Sequence, residues 1–372
     1  MINVLHILAP AREGGLERVV SMLSAGQREK GVHVVAVIEP GEAAEHPFIT
    51  RMKALGIPSS AIEVGSRSYR KEYHLLGDLI TRFKPAVVNT HGYRCDVIGA
   101  TAARRNGVAV VSTVHGFTGG GIRNRFYEVI QCYALRRADA VIAVSAPLVE
   151  RLKSAGIEGE NIYVIPNGFA PQSALLDRIA AREELGISGE DFVVGWVSRM
   201  SREKGPDVML EAIAATDDSI RLSMIGTGPE LHRLTDQARR LRVMPRVKWH
   251  GSIANAGRLL RAFDAVVLSS RTEGTPIILL EAMHASVPII ATRVGGTPDV
   301  VSSDDAILVP AEDPQAIAEA ISEVRRDPAG ARSRTAHAQQ RLISRFGAEQ
   351  WLTAVDSAYR GAVDRASRRR RH

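Results

Sequence analysis

The stretch SSRTEGTPIILLEAMHASVPIIATRVGGTPDVV, residues 269–301, holds the pattern that decides the fold. A predicted strand at 264–268 precedes it, and after a Gly-Thr-Pro turn an apolar helical segment runs from about Pro276 towards a second strand at 287–291. Proline is favoured in the first turn of a helix because its missing N–H costs nothing there. Strand, helix and strand in this order predict a βαβ unit with parallel strands.

The same alternation continues through both halves of the chain. At 372 residues the chain exceeds what one hydrophobic core usually serves, so two domains are expected. We predict an α/β protein with two Rossmann-like, doubly wound parallel-sheet domains that face a central cleft, because open parallel sheets bind ligands beyond the carboxyl ends of their strands. The predicted strands lie near 2–8, 33–39, 86–90, 109–114, 140–144 and 162–165, and then near 192–198, 220–225, 246–250, 264–268, 287–291 and 306–309.

Turn residues and changes of pattern set the predicted domain boundaries. The apolar face of the segment after Ala348, with Trp351, Val355 and Tyr359, is too large to leave in water at about 25 cal/mol per Å². We therefore predict that a C-terminal helix crosses back to the N-terminal domain. The predicted divisions are an N-terminal domain 1–170, a linker 171–190, a C-terminal domain 191–346, the crossing helix 347–366 and a basic tail 367–372.

Composition favours a soluble globular protein and excludes several other classes. Apolar residues make up 45% and charged residues 24% of the chain, no segment is long and apolar enough to span a bilayer, and the first residues read as a buried strand without a signal peptide's cleavage site. The two cysteines lack metal-ligand spacing, so a reducing cytoplasm is expected. Only 5% of residues are aromatic and no zinc module or helix-turn-helix signature occurs, which argues against nucleic acid as a partner.

The net charge of +7 is unevenly distributed. Residues 1–170 carry 20 Lys and Arg against 15 Asp and Glu, residues 171–363 carry 23 against 25, and residues 364–372 carry 5 against 1. An anionic membrane surface is a fitting partner for such a first half and tail. We expect a cytoplasmic protein that associates peripherally with the membrane, and a disordered tail that only aids solubility remains the alternative.

Several polar motifs follow predicted strands of the first half. Gly14 and Gly15 come after the first strand and open a helix, where backbone N–H groups can meet an anion. His91 and His115 each follow a strand and precede a glycine, so both are expected at the cleft.

Two cations occupy one strand-to-helix loop of the second half. Arg199 ends a predicted strand, and Lys204 precedes a helix that begins near Pro206. Two cations five residues apart can reach one diphosphate, and a buried leaving group of two or more negative charges needs such partners. An exposed charged loop without a ligand is the alternative.

Glu273 and Glu281 flank the start of the helix in the opening stretch. The predicted helix leaves the N–H groups of Thr275 and Ile277 able to point at a phosphate. Carboxylates accept bidentate hydrogen bonds from vicinal hydroxyls, so one glutamate could hold a ribose and the other a sugar ring.

Taken together, these motifs resemble those of the large retaining family 4 of the glycosyltransferases, with the GT-B fold, over nearly the whole chain. Each motif is common by itself, but their order and spacing are specific. The residues that carry the resemblance are Gly14-Gly15-x-Glu17, Pro166-Asn167-Gly168, Arg199 with Lys204-Gly205, Gly226-x-Gly228-Pro229-Glu230, and Glu273-x7-Glu281 followed by Gly295-Gly296.

The resemblance implies a role for each matching position. Catalytic roles fall to His115, beside the sugar's reacting face, and to the cations and Glu273. The implied donor contacts are Gly15, Arg199 and Lys204 at the diphosphate, Glu273, Gly274, Thr275, Pro276 and Ile277 at the sugar and phosphates, Glu281 at the ribose, and Gly251 to Ile253 at the base. The implied acceptor contacts are Gly14, His91, Tyr93, Arg94, Gly119 and Gly120.

The chain departs from the family pattern at a few positions. Phe169 and Ala170 stand where many members place an aliphatic residue and an aspartate, and Asp299 replaces a glutamate after the second Gly-Gly pair. Ala285-Ser286 stands where a glycine is usual. None of these changes touches the two cations or the glutamate pair.

The resemblance implies a hexosyltransferase reaction with net retention, in which a leaving phosphate oxygen takes the acceptor's proton. A UDP-sugar is the expected donor, and a glycan, lipid-linked or small-molecule hydroxyl is the expected acceptor, in bacterial surface polysaccharide biosynthesis. No Asp-x-Asp motif occurs, so no metal and no other cofactor is expected. A nucleotide-sugar epimerase of the same fold and a non-catalytic nucleotide-sugar-binding protein are the alternatives.

Overall fold

A computed structural model describes residues 2–12, 14–116 and 122–371, and of residues 122–125 the backbone only. The chain divides into two units, residues 1–168 with 348–372 and residues 169–347. The strands are β1 (Val4–Leu8), β2 (Val32–Ile38), β3 (Ser59–Glu63), β4 (Val87–His91), β5 (Ala109–Val114), β6 (Ala140–Ala143), β7 (Ile162–Val164), β8 (Phe192–Val197), β9 (Ile220–Ile225), β10 (Val247–Trp249), β11 (Ala265–Leu268), β12 (Ile289–Thr292) and β13 (Ile307–Val309).

Helices alternate with these strands, as the sequence pattern predicts. They are α1 (Gly15–Gly26), α2 (Pro47–Ala54), α3 (Tyr69–Phe83), α4 (Tyr93–Arg105), α5 (Ile122–Leu135), α6 (Ala146–Ser154), α7 (Arg178–Leu185), α8 (Pro206–Ala214), α9 (Leu231–Arg240), α10 (Ile277–Ala285), α11 (Thr297–Val300), α12 (Pro314–Arg326), α13 (Pro328–Arg345) and α14 (Ala348–Arg369).

Both sheets are parallel, and both reverse their strand order beside the first strand, as doubly wound sheets do. The first sheet has the order β3-β2-β1-β4-β5-β6-β7 and the second β10-β9-β8-β11-β12-β13. All residues of β1, β4 and β5 are buried, because helices cover both faces of such a sheet. The predicted α/β fold with two doubly wound sheets is confirmed.

The sequence pattern missed one strand and ended another too early. Edge strand β3 reads SSAIE, and only its Ile62 is fully buried, so it lacks an apolar run. His91, predicted to follow a strand, is instead the last residue of β4 and pairs with Leu8 of β1.

The C-terminal helix α14 belongs to the first unit, where it packs on β4, β5 and β6. Its Tyr359 is fully buried and accepts a hydrogen bond from Asn89 Nδ2 at 2.8 Å. The predicted tail 367–372 is not a separate segment, because the helix continues to Arg369, and Arg365 and Arg369 both bond to Asp139. His372 lies outside the described residues.

Residues 171–190, predicted as a linker, are part of the second unit. They include α7, whose buried Arg182 donates to Ala262 O at 3.0 Å and to the Asp264 carboxylate at 2.9 Å. A buried guanidinium needs several acceptors, and here it finds them on the segments around β8 and β11. These bonds attach the segment to the second sheet.

Candidate active site

The loop after β8 carries the first predicted cation. Arg199 forms an ion pair with Glu203, and its Nε lies 3.4 Å from Ser201 Oγ. About half of the Arg199 side chain is exposed. Burial alone would raise the pKa of Glu203, but bonds from Ser201 and Arg199 lower it below its usual value. Arg199 thus stands at the surface of the loop, with a carboxylate partner.

Lys204 and Glu273 form the central polar contact of the second unit. The Lys204 ammonium lies 2.8 and 2.9 Å from the two carboxylate oxygens of Glu273, and Ser270 Oγ donates to the same carboxylate at 2.6 Å. The Glu273 side chain is 6% exposed and that of Lys204 25%. Two ammonium protons therefore go to Glu273, and among the described residues no third hydrogen bond of this ammonium is present, so one donor position is left for another anion.

The loop with the cations is fixed against the loop after β11. Arg271 donates to both Asp207 oxygens at 2.8 and 3.0 Å and to Arg202 O at 2.7 Å. Trp196 Nε1 donates to Ser269 Oγ at 3.0 Å, and that hydroxyl contacts Gly205 O at 2.8 Å. Bonds from both sides hold Lys204 next to Glu273, which is the preorganisation that a charge-stabilising group needs.

Two glycines allow the loop backbones to approach one another. Gly226 has φ +139°, and a Cβ there would lie 1.8 Å from Ser198 O. Gly295 has φ +48°, and a Cβ there would lie 2.0 Å from Glu273 O. The absence of a side chain lets the loop after β9 approach the loop after β8 at Ser198, and lets the loop after β12 approach the loop after β11 at Glu273.

Most of the other residues predicted to contact the donor in the second unit lie at the start of α10. Pro276 is the N-cap of this helix, the buried Ile277 is its first residue, and Gly274 and the buried Thr275 precede the cap. Glu281 lies on α10 against Gly257, where a Cβ would approach its Oε1 to 2.7 Å. Gly251 O accepts from Gly226 N at 2.7 Å, so the loop with Ile253 joins the same edge of the sheet.

The glycine pair after β1 is shaped by Glu17. This buried glutamate accepts a hydrogen bond from Ala11 N at 2.7 Å, and a Cβ on Gly14 would lie 2.4 Å from its Oε2. Gly14 is therefore required by the loop's own packing. Gly15 is the first residue of α1, at the end of the helix that carries partial positive charge.

The two predicted histidines of the first unit are joined to a third. His91 Nδ1 lies 3.1 Å from His115 Nε2, and His91 Nε2 lies 3.0 Å from Nδ1 of His6 on β1. Burial lowers the pKa of His6 and of His115 to about 4 and that of His91 well below its usual value. All three imidazoles are neutral at pH 7.

The predicted acceptor residues after β4 lie at the first turn of α4. Tyr93 is 49% exposed and stacks on Tyr127, with ring centroids 5.2 Å apart. Arg94 Nε donates to the buried Glu72 carboxylate at 2.8 Å. Burial raises the pKa of Glu72, against the opposing effect of Arg94. Gly119 and Gly120 lie outside the described residues.

Sequence reasoning missed two residues of these networks. His6 lies inside an apolar strand, and a histidine among buried neighbours was the available signal. Arg271 directly follows Ser269-Ser270 in the opening stretch, but its pairing with Asp207 spans 64 residues and leaves no local pattern. Within the described residues no group of three or more metal-ligating side chains is arranged to hold a metal ion.

Two known families match the chain, one in each unit. Residues 13–173 match Glycosyltransferase Family 4, and residues 177–341 match Glycosyl transferases group 1. The glycogen synthase of Mycobacterium tuberculosis is 29% identical over 297 residues, which cover 75% of this chain and 70% of that protein. The N-acetyl-alpha-D-glucosaminyl L-malate synthase of Bacillus anthracis is 26% identical over 259 residues, 68% of each chain.

Solved structures show the same fold. HepE of Anabaena, crystallised in complex with UDP-glucose, superimposes with a TM-score of 0.85 at 22% identity over 96% of this chain and 99% of that one. The two family matches cover the two parallel-sheet units, and the named relatives are glycosyl-transferring enzymes. The chain therefore has the GT-B fold, and both of its units are similar to glycosyltransferases, the first of them to family 4.

Proposed function

We propose that this enzyme is a retaining, metal-independent hexosyltransferase that transfers the sugar of a UDP-sugar to a hydroxyl of a glycan, glycolipid or small-molecule acceptor. We place it in bacterial surface polysaccharide biosynthesis. The choice of UDP takes support from HepE, whose structure was solved with UDP-glucose. The assignment of roles to residues rests on the resemblance to family 4.

The observation that carries the proposal is the Lys204–Glu273 pair on converging loops. Lys204 is positioned for a phosphate oxygen by its remaining donor, and Glu273 for the hydroxyls of the transferred sugar. A diphosphate leaving group gains charge as the glycosidic bond breaks, so a cation held in advance stabilises the transition state more than the ground state. Arg199 would add a second, more exposed cation to the same group.

Front-face displacement retains the configuration of the anomeric carbon and needs no side-chain base. A departing phosphate oxygen accepts the proton of the acceptor hydroxyl while that hydroxyl bonds to the anomeric carbon on the same face. The charges of Lys204 and Arg199 take the place that a divalent cation has in other transferases.

Donor selection is tested with a thermal-shift panel of UDP-, GDP- and ADP-sugars. A donor that binds only the folded state raises the melting temperature. At a hundredfold excess over Kd it adds about 2.7 kcal/mol to the free energy of unfolding. We expect a shift with UDP-sugars, and product analysis by NMR should then show an α-linked product from an α-linked donor. An inverted product, or formation of an isomerised donor without acceptor, would overturn the proposal in favour of another mechanism or an epimerase.

We further propose that the first unit associates peripherally with anionic membranes. Helix α5 exposes an apolar stripe at helical spacing, with Phe126 62%, Val129 68% and Tyr133 55% exposed. Basic residues border its C-terminal end: the Arg137 guanidinium lies 4.6 Å above the Tyr133 ring, and Arg104 bonds to Arg137 O. Among the described residues no helix is both long and apolar enough to cross a membrane.

The end of α14 adds positive charge to the same region. Arg369 pairs with Asp139, two residues beyond Arg137, while Arg368, Arg370 and Arg371 remain exposed. Each basic residue near an anionic leaflet contributes about 1 kcal/mol, so the cluster gives weak, salt-sensitive binding.

Co-sedimentation with phosphatidylglycerol vesicles at low and high salt measures this attachment. Val129→Ser and the triple change of Arg368, Arg370 and Arg371 to Gln should each reduce binding. Ile343→Ser is the matched control, because Ile343 on α13 is equally exposed at 71% but belongs to the second unit. If neither Val129→Ser nor the triple arginine change alters vesicle binding, the proposed membrane-binding surface is wrong.

A further inference from the structure

A continuous chain of hydrogen bonds crosses the first sheet and ends at His115. It runs from Gln27, at the end of α1, through His6 on β1 and His91 on β4 to His115 after β5. The successive distances are 2.8, 3.0 and 3.1 Å, and these three strands are direct neighbours in the sheet. Within the part of the chain that the structure describes, His6 and His91 each use both ring nitrogens, and His115 uses its Nε2.

The direction of this chain is fixed at its buried end. A neutral imidazole has one N–H and one lone pair, so the role of one nitrogen decides the role of the other. Gln27 presents its Oε1, an acceptor, to His6 Nε2. His6 Nε2 must therefore donate and His6 Nδ1 must accept from His91. The same reasoning makes His91 Nδ1 accept from His115 Nε2.

Helix α14 determines which end of the Gln27 amide faces His6. The Gln27 side chain also bonds to the Tyr359 hydroxyl, and Tyr359 accepts from Asn89 Nδ2 at 2.8 Å. Asn89 Oδ1 in turn accepts from Thr113 Oγ1 at 3.0 Å. With its amide nitrogen directed at the Tyr359 oxygen, Gln27 has only its carbonyl left for His6.

We propose that Gln27, His6 and His91 are positioning residues that hold His115 in the Nε2–H tautomer, and that Tyr359 of the C-terminal helix sets the direction of this relay. His115 Nδ1 is then the lone-pair nitrogen and accepts a hydrogen bond from a sugar hydroxyl. The catalytic benefit rests on the proposed transferase function, whereas the tautomer does not.

The relay matters because the alternative form has the opposite chemistry. In the Nδ1–H tautomer His115 would donate to the substrate, and in the protonated form it would place a positive charge beside a sugar that itself becomes positive during transfer. A chain of neutral rings supplies neither an extra proton nor a charge. Burial lowers the pKa of each of the three rings and so keeps them neutral. Exposure of any one ring to water would make its protonation easier.

The tautomer is measured directly by ¹⁵N and ¹³Cδ2 NMR of the full chain with labelled histidine, at pH 7.5 and without substrate. The His115→Gln variant assigns the His115 signal among the 11 histidines. We expect the Nε2–H form for His115 in the wild type. The Nδ1–H form, or a protonated ring, would overturn the proposal without any variant.

Two variants test what sets the direction. Gln27→Met removes the acceptor and Tyr359→Phe removes the group that orients the amide, and both should move His115 towards the Nδ1–H form. Gln131→Met is the matched control, because Gln131 is similarly buried in the same unit and its side chain bonds Asp96 instead of a ring of the relay. A His115 signal that is unchanged in a folded Gln27→Met or Tyr359→Phe variant refutes the relay.

Kinetics separate the relay from the proposed function. In Gln27→Met we expect kcat to fall roughly tenfold, which is the effect of losing one neutral hydrogen bond. The donor KM should change little. Absence of transferase activity in the wild type would contradict the proposed function and leave the NMR result standing. An altered tautomer with unchanged kcat would overturn the catalytic benefit alone.

Discussion

Replacing Lys204 by alanine should damage both stability and turnover, and the two effects can be separated. The change removes the cation from the Glu273 carboxylate, whose side chain is only 6% exposed. Breaking a buried ion pair by removing one partner costs about 3–5 kcal/mol, because the other charge remains buried. Ser270 still donates to Glu273, and Lys204 itself is one-quarter exposed, so we expect roughly 2–3 kcal/mol for Lys204→Ala.

Neutralising the partner should restore the stability but not the reaction. In Lys204→Ala/Glu273→Gln no unpaired charge is buried, and the loss should fall to within about 1 kcal/mol of the wild type. Turnover should drop about 10²-fold or more in Lys204→Ala and stay at least as low in the double variant, because a charge-stabilising group is still missing.

Urea denaturation of the wild type, Lys204→Ala, Glu273→Gln and the double variant gives the free energy of unfolding of each protein. Turnover is measured with saturating donor and acceptor. Loss of 2–3 kcal/mol should lower the melting temperature by roughly 5–10 °C for a unit of this size. Wild-type turnover in Lys204→Ala would refute the diphosphate role. Turnover that returns in the double variant together with stability would show that Lys204 acts only by neutralising Glu273.

Three further changes probe the site and its surroundings. Excess EDTA should leave turnover unchanged, since Arg199 and Lys204 supply the positive charge; loss of activity that manganese or magnesium restores would contradict this. Gly257→Ala should weaken donor binding measured by calorimetry at least severalfold, because its Cβ would meet Glu281 Oε1 at 2.7 Å, whereas Gly189→Ala, which meets nothing within 4 Å, should bind normally. The first unit should lose stability as the pH falls from about 6.5 towards 4: the pKa of His6 and of His115 is depressed to about 4 in the folded state, so the unfolded chain takes up protons first, at a cost of up to about 3 kcal/mol for each ring. A urea midpoint for this unit that does not change between pH 7.5 and 5 would speak against buried neutral histidines.

The central strands of both sheets were located to within a few residues, because strands buried on both faces of a parallel sheet are continuous apolar runs. The edge strands β7, β10 and β13 were also predicted, although they are only partly buried. The edge strand SSAIE at 59–63 was missed because one side of an edge strand has no neighbour and its residues need not be apolar. Edge strand β3 has no apolar run, so its residues show no strand pattern.

The candidate site residues were chosen from local patterns, and the contacts between them could not be read in the same way. The sequence suggested Arg199, Lys204 and Glu273 as site residues, but not their carboxylate and ammonium partners. The pairing of Lys204 with Glu273 joins loops 69 residues apart, and the contact between Asn89 and Tyr359 spans 270 residues.

The predicted tail was misjudged for a related reason. Four consecutive arginines read as a solvated terminus, because local sequence carries no sign of a buried acid elsewhere. Asp139 lies buried before β6 with Arg369 on its Oδ1, and its Oδ2 accepts from Val110 N at 2.8 Å. The Arg369–Asp139 ion pair therefore holds the end of α14, the same helix that places Tyr359 against Gln27. Breaking this ion pair should also disturb the hydrogen bonds of His6, His91 and His115.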